Sequence, residues 1–232
     1  MSPDPRQPAP RQPDYSVPAL DKAFDVLELL AESARPLSQT EIAEATGRTV
    51  SRLFRVLATL EARGWLLRDA DSGLYSFSMA AFDLAHRQPA LRGLLDASLP
   101  PMRALSERVR QSCNLSVLDA GAVRVVAQVE SPADFGYRVR VGAVFAADAT
   151  ATGAVLATDV ATLRRDDPLQ AGITDLVVAV RDARGGTRAA LTVPYVATSF
   201  SGVDVDAVMD AAAEVAELIG RRLAGSSQTS GR

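Results

Sequence analysis

Apolar residues at Val50, Leu53, Phe54, Leu57 and Leu60 recur three and four positions apart, which predicts a helix with one face on a core. Just before it, Ser38 followed by Glu41 makes a capping box and starts a shorter helix, which Gly47 ends. Upstream, Leu20, Ala23, Phe24, Leu27 and Leu30 mark one more helix with the same spacing, and Pro36 is its stop signal. Gly64 can take the left-handed conformation that closes a helix, so an extended run begins at Trp65, Leu66 and Leu67. Asp71, Ser72 and Gly73 supply a turn, Leu74 to Phe77 returns, and Arg68 to Tyr75 is expected to form a wing. Three helices and a hairpin in that order are the layout of a winged helix-turn-helix.

After the wing, Met79 to His86 continues as a short helix, Pro89 interrupts it, and Leu91 to Arg110 has helical spacing, with Pro100 and Pro101 as a bend or a plain tolerated irregularity. The pattern then changes period. Leu115, Val117 and Leu118, a turn at Asp119 to Gly121, and Val123, Val125, Val126 and Val129 predict a hairpin. Tyr137–Val141 and Val144–Ala147 are further strand candidates around Gly142, and Thr150 to Leu163 has a helical pattern. Asp175–Val180 and Arg188–Tyr195 flank a DARGG turn as a last hairpin, and Val205 to Leu223 closes the chain as an amphipathic helix through Val208, Ala212, Val215 and Ile219. The whole reads as an α+β protein in two parts.

Charge sharpens the reading of the first part. The chain is acidic, with a formal net charge of −3 and a pI near 5.3. Arg48, Arg52, Arg55, Arg63 and Arg68 nevertheless cluster in one stretch opposed by Glu61 and Asp69, so a basic footprint fits on an acidic molecule. A helix pair with an arginine-rich solvated face also occurs in ordinary all-α proteins; the wing is what favours DNA. In such a motif the start of the second helix meets base edges in the major groove. Ser51, Arg52 and Arg55 are therefore the expected base or phosphate contacts, supported by Gln39, Thr40, Arg48, Thr49 and Arg68.

Enzyme chemistry finds little to work with. One histidine, His86, and one cysteine, Cys113, leave no nucleophile with a base and no metal cluster, and no dinucleotide or phosphate fingerprint occurs, so neither metal nor cofactor is expected. Cys113 reads as a core residue and His86 as an ordinary linker-helix residue. No apolar run reaches the roughly 20 residues a bilayer span needs. Residues 1–15, rich in proline and lacking the apolar centre of a signal peptide, are expected to be a disordered arm on a cytoplasmic protein.

The chain resembles the IclR-type transcriptional regulators. The likeness is carried by ALDKAFDVLELLAE, by TEIAEATG, by the segment with Ser51 and Arg55 that continues as LATLEARGWL, and by GLYSFS. It extends into NLSVLDAGAVRVVAQVESP and VGAVFAADATATGAVLAT, which are similar to the opening half of that family's effector-binding domain. The resemblance implies a winged helix-turn-helix at 16–78, a linker helix at 79–90, a GAF/PAS-like antiparallel sheet domain flanked by helices at 91–225 and a disordered tail at 226–232. It also implies a homodimer or tetramer that binds a pseudopalindromic operator in double-stranded DNA and answers to a small-molecule effector, with no membrane partner. Asp148, Ala149, Thr150, Ala151, Thr152 and Gly153 match the family's pocket floor.

Two departures qualify that implication. The family usually places a helical insertion and a further strand before the last hairpin, whereas this chain passes from Leu163 through DDPLQAGI to Thr174 and DLVVAV, a shortened sensor. Asp148 stands where the family commonly has histidine; it is expected to cap the following helix, and as a carboxylate it would favour a neutral or cationic ligand over an anion. The alternative reading is a DNA-binding head whose shortened sensor binds no ligand and serves dimerisation or a partner.

Overall fold

The structure, a computed structural model, describes residues 17–134, 136–166, 171–197 and 202–229, with side chains up to residue 225. The expected N-terminal arm, residues 1–15, lies outside the described residues. The chain divides into two compact units between Arg87 and Gln88.

In the first unit, α1 (Pro18–Glu32), α2 (Gln39–Ala45) and α3 (Val50–Ala62) are followed by β1 (Leu66–Arg68), β2 (Tyr75–Phe77) and α4 (Ala80–His86). The capping box forms as expected: Glu41 N donates to Ser38 Oγ at 3.2 Å and Ser38 N donates to Glu41 Oε2 at 2.7 Å. Gly47 and Gly64 both take positive φ at the ends of α2 and α3. The wing strands pair with Leu66 opposite Phe77 and Arg68 opposite Tyr75, while Leu37 exchanges backbone hydrogen bonds with Tyr75. The core joins Val26 and Leu30 to Ile42, then to Leu53, Leu57 and Leu60, with Leu66 and Tyr75 closing it.

The helix faces differ in part from the expected ones. Leu20 and Phe24 of α1 are exposed, and Val26, which the spacing had not selected, is fully buried. Val50 and Phe54 of α3 are likewise exposed, at 42% and 59%. Both helices carry apolar residues over more than one stripe, and a three-helix unit buries one stripe per helix. Phe24 and Val26 are two residues apart, which puts them roughly 200° apart around the axis and on opposite sides.

The second unit comprises α5 (Pro89–Val109), β3 (Cys113–Asp119), β4 (Ala122–Val129), β5 (Val144–Ala146), α6 (Ala151–Ala157), β6 (Thr162–Asp166), β7 (Ile173–Arg181), β8 (Thr187–Val196) and α7 (Val205–Thr229). Its six strands form one antiparallel sheet in the order β5-β4-β3-β8-β7-β6. Helix α5 runs on through Pro100 and Pro101.

Alternation along the strands sorts the residues into two layers. Leu176, Val178 and Val180 of β7 and Leu191 and Val193 of β8 join the core shared with α5 and α7, including Met102, Leu105, Val208 and Ile219. Val177 and Ala179 face the other way, onto Ala151 and Val155 of α6. With both faces covered, β7 is apolar from Leu176 to Val180. Cys113 lies at the buried start of β3, and burial pushes its thiol up to about 12.

Three expected elements change. Tyr137–Val141 is not a strand; Gly142 and Ala143 instead bond to Val125, and only Val144–Ala146 pairs with β4. The helix expected over Thr150–Leu163 stops at Ala157, and Thr162–Asp166 is the edge strand β6. Its side chains alternate between exposed and half-buried, a polar edge pattern that hydrophobic spacing does not reveal. Helix α7 continues to Thr229, into the stretch expected as a tail.

Candidate functional site

Two sites emerge, one in each unit. In the first, Leu53, Leu57 and Leu60 fix the inward side of α3, and the opposite side is exposed along Ser51, Arg52 and Arg55. None of these three side chains has a hydrogen bond or ion pair among the described residues, so two guanidinium groups stand free on the first two turns of the helix. Thr40 and Thr49 are exposed beside them. Gln39 is used differently, since its Nε2 donates to the Val50 carbonyl at 3.3 Å and ties the head of α2 to the head of α3. Arg48 is also engaged, in an ion pair with Asp25 of α1. On the wing, the Arg68 guanidinium lies over the Tyr75 ring, 5.5 Å from its centre.

Three of the nearby carboxylates are occupied within the unit. Glu41 accepts from Arg35 at 2.6 Å, and that bond together with those from Ser38 holds its carboxyl down at about 2. Asp69 accepts from Ser72 Oγ at 2.6 Å and Ser72 N at 2.7 Å, which lowers its pKa while shaping the wing turn. Asp25 is taken by Arg48. Of the two carboxylates singled out in the sequence as opposing the arginine cluster, Glu61 is exposed and has no ion pair among the described residues.

The second site is a cavity of about 70 Å³ between the sheet and the segment leading into α6. Its apolar wall includes Val123, Val125, Phe145 and Pro194; its polar groups include Asn114, Ser116, Tyr137, Thr152, Asp175 and Thr192. A register irregularity between Leu115 and Ser116, where β4 skips Val126, explains the wall. One extra residue flips the alternation, so Val123 and Val125 face the cavity while Ala127 joins the helix-covered core. Asn114 and Ser116 are buried on the cavity side, with Ser116 Oγ donating to Asn114 Oδ1 at 3.3 Å. Thr152 and Thr192 share a hydroxyl–hydroxyl bond of 2.9 Å across the cavity floor.

Of the six floor residues expected from the sequence, Ala149, Thr150 and Thr152 border the cavity. Ala151 and Gly153 are buried in packing, and a Cβ on Gly153 would stand 1.9 Å from the Ala147 carbonyl oxygen. Asp148 is exposed and is not the helix cap: that place belongs to Thr150, whose Oγ1 accepts from Gly153 N at 2.9 Å. The threonine sits one residue before the helix and reaches its third amide, which Asp148 sits too far upstream to do. The sequence reading missed Asn114, Ser116, Asp175 and Thr192. Their signal was present as polar residues at alternate positions of otherwise apolar strands.

Comparison with known proteins follows both units. The IclR helix-turn-helix domain model matches residues 19–70 and the model of the bacterial transcriptional regulator IclR C-terminal domain matches residues 91–167, together more than half of the chain. The HTH-type transcriptional regulator BhcR of Paracoccus denitrificans (strain Pd 1222) is 35% identical over 115 residues, 49% of this chain and 40% of BhcR. The HTH-type transcriptional regulator KdgR of Dickeya chrysanthemi is 27% identical over 146 residues, 63% of this chain and 47% of KdgR. The chain thus matches about half the length of these curated relatives or less. Among solved structures, an IclR homolog from Microbacterium hydrocarbonoxydans complexed with 4-hydroxybenzoate aligns with a TM-score of 0.73 at 20% identity, over 89% of this chain and 99% of that one. The Thermotoga maritima IclR aligns with a TM-score of 0.69 at 20% identity, over 90% of this chain and 100% of that one. At such identities the structural likeness speaks for the fold, and the sequence matches speak for the lineage: the chain belongs to the IclR family of transcriptional regulators.

Proposed function

We propose that this chain is a sequence-specific regulator that binds double-stranded DNA through α3 and the wing, and that a small molecule in the cavity of the second unit governs it. The observation that carries the DNA reading is the free, exposed trio Ser51, Arg52 and Arg55 on the first two turns of α3, opposite its buried leucines. Arginine forks match guanine edges or phosphate oxygens, and a serine suits either. Arg68, with Thr40 and Thr49, supplies backbone contacts that set register.

The cavity supports the sensor reading, because it combines an apolar wall with a few converging polar groups. A structural neighbour holds 4-hydroxybenzoate, which supports a small-molecule site in this fold. In this reading the protein acts in the cytoplasm as a homodimer or tetramer on a pseudopalindromic operator, and it regulates without catalysing a reaction. No described helix is long and apolar enough to cross a membrane.

The test is binding of the purified protein to DNA from upstream of its own gene, against scrambled DNA, over a series of salt concentrations. The expected result is a strong preference for the upstream DNA and an affinity that falls steeply with salt. Equal affinity for both DNAs would count against a sequence-specific regulator.

A further inference from the structure

Given the sensor reading above, the cavity of the second unit has two unlike ends. At one end β3 and β8 lie side by side with Asn114 opposite Thr192, and Thr152 of α6 shares a hydroxyl–hydroxyl bond with Thr192. Asn114 is 5% exposed; its Oδ1 accepts from Ser116 Oγ, and its amide nitrogen bonds no described residue while the residue borders the cavity. In the threonine pair one hydroxyl proton lies between the two oxygens, and the other is left for a third group. Buried donors without partners are rare in folded proteins, and here an amide and a hydroxyl border the same space.

At the other end the wall is apolar. Strand β5 is the outermost of the sheet, and its Phe145 stands opposite Val123 of β4. Val144 and Ala146 are exposed on either side of it, so alternation turns Phe145 to the cavity, where Val123 and Val125 also line the wall. The space between the two ends is about 70 Å³. One benzene ring occupies a cavity of about 150 Å³, so the room here is about half of what a ring needs and holds about three to five non-hydrogen atoms.

We propose that the cavity selects its ligand by size: it takes a hydroxyl compound of about three to five non-hydrogen atoms, held by Asn114 and the Thr152–Thr192 pair, and Phe145 bars an aromatic ring. Volume acts on every compound alike, whatever Asp175 bonds to.

The test uses the full chain and three matched pairs of probes: 1,2-ethanediol and 1-phenyl-1,2-ethanediol, ethanolamine and 2-amino-1-phenylethanol, glycolate and mandelate. Within each pair a phenyl ring replaces one hydrogen on the hydroxyl-bearing carbon, so the size changes while the polar groups stay. Binding is read from the methyl NMR signals of Val123 and Val125 over a concentration series, which registers weak ligands at this site. In each pair that binds, the smaller member is expected to bind at least about tenfold more tightly, and Phe145→Ala to let the phenyl member bind at least as tightly as the smaller one. The ranking on the unmodified chain decides the size limit by itself should the variant fold poorly. A phenyl compound that binds the unmodified chain as tightly as its smaller partner would overturn the inference and leave the sensor reading standing. A variant that folds and still excludes the ring would overturn the role of Phe145. Failure of all six to bind would overturn the inference and, with it, the cavity as the sensor site.

Discussion

Arg48, in the turn between α2 and α3, forms an ion pair with Asp25 of α1. The pair joins residues 23 positions apart in the chain and spends one arginine of the cluster on the unit itself. Arg48→Gln should therefore lower stability by up to about 1 kcal/mol, the range of half-exposed ion pairs, while leaving the salt slope of DNA binding unchanged. Arg68→Gln, which removes a phosphate contact on the wing, should instead reduce that slope by about one unit. Thermal unfolding and binding isotherms over a salt series distinguish the two; a reduced slope in Arg48→Gln would place that side chain on DNA instead.

The capping box predicts a pH response confined to strongly acidic solution. Hydrogen bonds from Arg35 and Ser38 hold the Glu41 carboxyl at about 2, below its ordinary value of 4.5. Its contribution to the start of α2 is therefore complete above about pH 4.5 and fades as pH falls toward 2. An NMR titration of the Glu41 carboxyl should show a midpoint near 2, moving upward in Arg35→Ala. A midpoint at the ordinary value in the unaltered protein would mean that these bonds do not hold in solution.

Local signals were legible in the sequence and distant ones were not. Ser38 and Glu41 lie three residues apart, so the capping box could be read directly, and the wing followed from Gly64 and the Asp71–Gly73 turn. The Arg48–Asp25 pair was not legible, since nothing local tells a guanidinium which carboxylate will come to it. Nor could spacing choose between the two apolar stripes of α1 or α3, because Phe24 and Phe54 fit the period as well as the residues that are buried. The cavity is the clearest case. DATATG gave half of its floor, while Asn114, Ser116 and Thr192 come from strands that only the sheet order β4-β3-β8 brings side by side.

Two helical glycines, one in α6 and one in α5, make a paired test of packing. A Cβ at Gly153 would meet the Ala147 carbonyl oxygen at 1.9 Å, so Gly153→Ala must displace α6 from the turn before it and should cost about 1–3 kcal/mol. Gly93 in α5 has open space where its Cβ would go, so Gly93→Ala should add about 0.5–1 kcal/mol through helix propensity. Denaturant unfolding of both variants checks the opposite signs. Equal small effects would mean that α6 is not held against Ala147 as described.

Arg55 is the side chain on which DNA reading by the exposed face of α3 is tested most directly. The measurement is the affinity of the unaltered protein and of Arg55→Ala for its operator, for operators changed one base pair at a time, and for scrambled DNA, at near-physiological salt. The expected preference for operator over scrambled DNA is at least about a thousandfold. The variant is expected to lose about 1–3 kcal/mol, with discrimination relaxed at one position in each half-site. An Arg55→Ala protein that keeps both affinity and discrimination would contradict DNA reading by this face.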